Sequence, residues 1–162
     1  LMRQEFVNPF LGPAQMVWQK EFGVHLEVAS AEAVSYQYTT DDITAIIGVS
    51  GKLQGNVLYG FSDSVSTEVV RRMIGEDMDA RDPMALSALG EIANVITGNA
   101  ATELAANGYP CDISPPVIIE PRGSTLTSTV PRQILVTFKS ELGLLTARIG
   151  LSENARYGIK AA

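Results

Sequence analysis

Apolar positions along this chain fall into two rhythms. Over residues 9–22, 63–74 and 83–106 they return every three or four residues, the spacing that lines one side of an α-helix. Elsewhere they alternate or form compact runs, as in "ITAIIGVSG" (43–51), "GNVLYGFS" (55–62), "QILVTFKS" (133–140) and "LLTARIGLS" (144–152), which read as strands. "VHLEVASAEAVSY" (24–36) alternates more loosely, and "DISPPVIIE" (112–120) is interrupted by prolines; both are further strand candidates. Breakers and caps set the boundaries. Asn8-Pro9 predicts a capped start for the first helix and Gly23 its stop. "DSVSTEVVRRMIG" (63–75) is a short amphipathic helix ending at Gly75, followed by the acidic link "EDMDARD". Asp82 then caps, and Pro83 opens, a long helix that Asn107-Gly108 closes.

The order of these elements repeats. A helix followed by three strands occurs twice, and Gly60-Phe61-Ser62-Asp63 sits over Gly150-Leu151-Ser152-Glu153 when the halves are aligned. We expect a single domain over residues 8–155 built by internal duplication, with halves of about 8–75 and 82–155. Residues 1–7 and 156–162 are expected to be tails.

The long helix carries an unusual polar strip. With about 100° per residue and Leu86 at zero, Leu89, Ala93, Ile96, Ala100 and Leu104 fall between roughly 280° and 360°. That is the core stripe. Ser87, Glu91, Asn94 and Gly98 fall between roughly 80° and 140°, and Ala101 and Ala105 extend the line. Asn and Gly are both poor helix formers, so placing them mid-span costs stability. Two reaching polar groups followed by nearly bare backbone would suit close docking of another surface. Periodicity alone favours an ordinary solvated face, with Gly98 packed on a neighbour, because polar helix faces are commonplace.

Composition narrows the chemistry. A chain of 162 residues with 46% hydrophobic content can bury a real core. Its net charge of −6 argues against nucleic acid or an anionic membrane as partner. One cysteine, Cys111, excludes an internal disulfide and fits a reducing, cytoplasmic setting. No apolar run approaches a membrane span, and Arg3, Gln4 and Glu5 break any signal-peptide pattern at the start. A Cys/His zinc site lacks ligands. His25 flanks an apolar strand with no nucleophile motif nearby. Trp18 and Cys111 are expected in the core, Asn99 on the far side of the long helix, and Arg71-Arg72 on a solvated face.

Ser87-x3-Glu91-x2-Asn94, then Gly98-Asn99-Ala100 and a proline past the next turn, resembles the signature of the CheC/CheX/FliY phosphatases of bacterial chemotaxis. Twenty-one residues separate Asn94 from Pro116, and Pro115 lies beside it, so either proline could complete the motif. "NPF", "GVSGKLQGNVLYGFS" and "MIGED" extend the likeness over about residues 8–152, and the single Glu/Asn copy is similar to the CheX branch. The resemblance implies an α/β (α+β) fold of the CheC-like kind: two related helix-plus-three-strand halves forming one sheet with long helices packed against it. It also implies a phosphatase acting on the aspartyl phosphate of a CheY-like response regulator. On this reading Asn94 holds the attacking water and Glu91 pairs with the receiver's lysine. Ser87 makes a peripheral contact, Gly98 and Ala101 let the helix approach closely, and Pro115 and Pro116 shape the return to the sheet. The chain would bring no cofactor or metal; Mg2+ would sit in the receiver. Homodimerisation by joining sheet edges is implied too. The rivals are a non-catalytic module of the CheC/FliM kind, which binds a receiver or the flagellar switch, and a purely structural or small-molecule-binding domain.

Overall fold

The computed structural model describes residues 3–120 and 122–159. Their elements follow in the order α1 (Gln4–Phe22), β1 (Glu27–Val34), β2 (Gln37–Thr39), β3 (Ile43–Gly51), β4 (Leu53–Phe61), α2 (Asp63–Ile74), α3 (Pro83–Ala106), β5 (Cys111–Ile113), β6 (Val117–Ile119), β7 (Thr125–Thr127), β8 (Gln133–Ser140) and β9 (Gly143–Glu153). Alternation along the strands decides the layering. In β9, Leu145, Ala147, Ile149 and Leu151 join one core with Leu89, Ile92, Ile96 and Leu104 of α3 and Phe10 and Trp18 of α1. Trp18 is fully buried, with its ring edge-on to Phe22 at 5.0 Å.

All strand pairs of the main sheet are antiparallel, in the order β1-β8-β9-β4-β3-β5, with β6 also on β3. This makes the fold a mixed α+β one. The β3–β4 and β8–β9 hairpins meet at the central β4–β9 pair. Outward from there the order is the same both ways: a hairpin from one half, then a strand lent by the other. The crossing ties the two halves into one unit.

The opposite face is covered by the small β2–β7 sheet. Arg148 fastens it. Its Nη2 donates to the Ser35 and Gln37 carbonyls at 2.7 and 2.8 Å, and its Nε to Gln133 Oε1 at 2.6 Å. Its guanidinium also lies 4.8 Å from the centre of the Tyr38 ring. Among the described residues, carbonyl dipoles and a π face hold this buried cation without a carboxylate, and burial lowers its pKa from the usual arginine value.

Three expectations need correction. Helix α1 begins at Gln4, with Pro9 and Pro13 inside it. Each proline removes a helical N–H, yet Phe6, Val7 and Phe10 are buried and continue the apolar stripe across them. Core burial outweighs the lost hydrogen bonds, so residues 4–7 are helix and not tail. Residues 1–2 and 160–162 of the expected tails lie outside the described residues. The "DISPPVIIE" strand is two strands on β3, because Pro115 and Pro116 cannot donate to the ladder between them. The three-residue strands β2 and β7 were not anticipated.

At Gly55 the backbone of the central pairing demands glycine. Gly55 has φ +144°, and a Cβ there would strike the Gly150 carbonyl oxygen on β9. Gly55→Ala should therefore lower stability by about 3 kcal/mol, measurable by urea denaturation.

Candidate functional site on helix α3

The long helix starts where its sequence says it should. Asp82 Oδ1 accepts from the Met84 N–H at 2.9 Å, and Pro83 occupies the first turn. Leu89, Ala93, Ile96, Ala100 and Leu104 are all buried, as the 3.6-residue period requires, and Ala85, Ile92 and Thr97 widen the stripe. One buried polar contact fixes the helix on the sheet. Thr97 Oγ1 donates to the Ala93 carbonyl at 2.7 Å, so its only proton is used. The Tyr59 hydroxyl of β4, 2.8 Å away, must then be the donor in the Tyr59–Thr97 bond. Burial raises the Tyr59 pKa, which keeps that proton in place.

With the helix phase set, the strip faces outward. Ser87 and Glu91 are exposed; Asn94, Gly98 and Ala101 are half-buried. Neither Glu91 nor Asn94 has a hydrogen bond or ion pair among the described residues. Both polar groups are therefore open to an incoming surface, one helical turn apart on one face.

The two flanks of the strip differ. On one side the chain between β5 and β6 closes against the helix: a Cβ at Gly90 would lie 3.3 Å from Pro116 Cγ and 3.6 Å from Ile118 Cδ1. Pro116, half-buried, is thus the proline that meets the helix, whereas Pro115 is exposed. The sequence reading passed over Gly90, although its place at the edge of the strip was a usable signal. Gly98 sits more loosely, its would-be Cβ 3.8 Å from Ile113 Cδ1. On the other side α1, α2 and α3 leave a groove of about 290 Å3 with Glu91 on its wall.

The remaining candidates fall outside this face. His25 is exposed. Asn99 is exposed and donates to the Val95 carbonyl of its own helix at 2.8 Å. Arg71 and Arg72 are exposed and both grip Glu68 at 2.7 Å, which holds that carboxyl down at about 2. Cys111 is half-buried, not fully buried as expected, and desolvation pushes its thiol pKa up. No group of three or more His, Cys, Asp or Glu that could hold a metal ion occurs among the described residues. No described helix is long and apolar enough to cross a membrane.

Residues 43–139 match the family model of the chemotaxis phosphatase CheX, a span that holds all of α3 together with Pro115 and Pro116. The chain belongs to the CheX family of chemotaxis phosphatases. Membership decides for an enzyme over a module that only binds. The CheY-P phosphatase CheX of Thermotoga maritima is 28% identical over 128 residues, which are 78% of this chain and 83% of that relative. The crystal structure of CheX from Vibrio vulnificus superposes with a TM-score of 0.82 at 26% identity, covering 91% of this chain and 99% of that one. CheX from Borrelia burgdorferi, solved as a CheX–CheY–BeF3–Mg2+ complex, shares the fold with a TM-score of 0.74 at 24% identity. It covers 93% of this chain and 100% of its own.

The two glycines of the α3 face should respond oppositely to added bulk. Gly90→Leu overpacks the Pro116 contact and should lower stability by about 1–3 kcal/mol. Gly98→Ala places its methyl in ordinary contact with Ile113 and should raise stability by up to about 1 kcal/mol through helix propensity. Denaturant titration of both variants checks the pair.

Proposed function

We propose that this CheX-family chain hydrolyses the aspartyl phosphate of a CheY-like receiver, and that α3 supplies the working groups. The observation that carries this reading is the pair Glu91 and Asn94: unpaired, solvent-accessible and on one face of a helix whose rotation is fixed. Phosphoryl transfer demands little covalent chemistry of the protein, mainly positioning and charge stabilisation. A carboxamide both donates and accepts. Asn94 can therefore hold a water in line with phosphorus, which attacks, releases inorganic phosphate and leaves the aspartate carboxylate on the receiver. Glu91 forms a charge-assisted contact with the receiver's lysine and anchors the docked helix. Ser87 touches the periphery, while Gly98 and Ala101 keep the surface low enough for close approach. Pro116 braces the helix from the side at Gly90 and Pro115 turns the chain.

Mg2+ belongs to the receiver in this reading, and the Borrelia CheX complex, which holds CheY, BeF3 and Mg2+, supports that division. A homodimer joined through sheet edges belongs to the same proposal. The outer strands available are β1 at one end and β5 with β6 at the other.

Removing the amide separates chemistry from docking. Asn94→Ala should slow receiver dephosphorylation about 100-fold or more with little change in affinity. Glu91→Ala should lower both. Phosphate release, measured alongside binding of a beryllofluoride-activated receiver, tests the assignment; full activity in Asn94→Ala removes the water-positioning role.

A further inference from the structure

The groove beside Glu91 has a composition of its own. Its lining residues are Val17 and Glu21 of α1, Met73 of α2, and Glu91, Ile92 and Val95 of α3. Val17 and Ile92 are buried and make an apolar floor, Met73 is half-buried, and Val95 is 37% exposed. The two polar residues of the lining are both carboxylates. Glu21 and Glu91 are exposed, and neither has a hydrogen bond or ion pair among the described residues. Arg72 reaches the Phe22 carbonyl next to Glu21 at 3.1 Å, and it shares the single carboxylate of Glu68 with Arg71. The rim carboxylates thus keep their charge free of any direct ion pair among the described residues.

We propose that this groove receives a second basic side chain of the docked receiver, a lysine or arginine distinct from the lysine assigned to Glu91, with Glu21 as its counter-ion. The proposal rests on the reading that the receiver docks on α3. Charge complementarity selects the occupant. An apolar floor alone would suit leucine or methionine, and a carboxylate rim alone would stay hydrated. The two together fit a side chain with an aliphatic stem and a cationic tip, which buries the one and presents the other. The groove, of about 290 Å3, has room for one such side chain. Its position is continuous with the strip, since Glu91 belongs to both. Glu21 would thus be a binding residue that sets affinity and encounter rate, with no part in the chemical step.

The test uses the full chain and a beryllofluoride-activated CheY-like receiver with Mg2+. Glu21 is exposed, so Glu21→Gln and Glu21→Lys should leave folding intact. We expect Glu21→Lys to slow association about tenfold at low salt, with Glu21→Gln in between, and the differences to shrink as salt is raised. Dephosphorylation at saturating concentration should match the unsubstituted chain. Unchanged association and salt dependence in Glu21→Lys would overturn the proposal while leaving the roles of Glu91 and Asn94 standing. Tighter binding in Glu21→Ala would overturn it as well, and would assign the groove to an apolar side chain. If the unsubstituted chain binds no activated receiver, this inference fails together with the docking reading beneath it.

Discussion

The hydrogen bond from Tyr59 on β4 to Thr97 on α3 governs what the surface of this protein presents. The buried stripe of α3 is rich in small residues, among them Ala85, Ala93 and Ala100. Such a stripe drives the helix onto the core but specifies its rotation weakly, because alanines interlock poorly. A buried hydroxyl pair behaves differently. Rolling the helix would leave the buried Tyr59 hydroxyl without its acceptor, at about 1–3 kcal/mol. Asn94 lies three residues before Thr97, so whatever fixes Thr97 also aims Asn94. Gly90 against Pro116 closes the same angle from the side. Two contacts inside the fold thus orient a polar strip that touches neither.

How much of this was legible in the sequence depended on how local the cause was. The start of α3 was, because Asp82 and Pro83 act on the turn they stand in. The strip of Ser87, Glu91, Asn94 and Gly98 was too, since helical period alone places it opposite Leu89 and Ile96. The start of α1 was not. Pro9 and Pro13 are strong local signals against a helix interior, and only the distant core that buries Phe6 and Val7 overrides them. The break between β5 and β6 was visible as two prolines, but the fact that both short strands share β3 as partner is a property of the sheet. Strands β2 and β7 have three residues each, too short for any periodic signal. Their attachment runs through Arg148, an arginine inside a strand whose role depends on the carbonyls of Ser35 and Gln37 more than a hundred residues away. The groove was hidden for the same reason: its walls come from three helices spread over residues 17–95.

The chain's poverty in catalytic side chains is consistent with the reaction class of its family. It has one histidine, exposed at position 25, and one half-buried cysteine. A hydrolase that had to generate its own nucleophile would need an activated serine, a thiolate or a metal-bound water. When the bond to be broken is already an activated phosphoryl linkage on another protein, a positioned water suffices. Specificity then shifts from chemistry to docking. At the proposed site, that places the functional load on shape and charge along α3, and a net charge of −6 favours the approach of basic surfaces.

Energy arithmetic explains why α3 can carry residues that weaken it. Asn94 and Gly98 together cost roughly 1–2 kcal/mol relative to better helix formers. Burial of Leu89, Ile92, Ile96 and Leu104 contributes about 1.5–3 kcal/mol for each side chain, and these four are almost completely shielded from solvent. The inner face thus outweighs the outer face several-fold, and the Asp82 cap adds about 1 kcal/mol. A helix secured so one-sidedly tolerates an unfavourable amide and a bare glycine toward solvent without fraying. Had the same two residues stood on a short helix with a thin apolar stripe, such as α2, their cost would have been comparable to what holds that helix in place. The length of α3 is therefore part of what the proposed site requires.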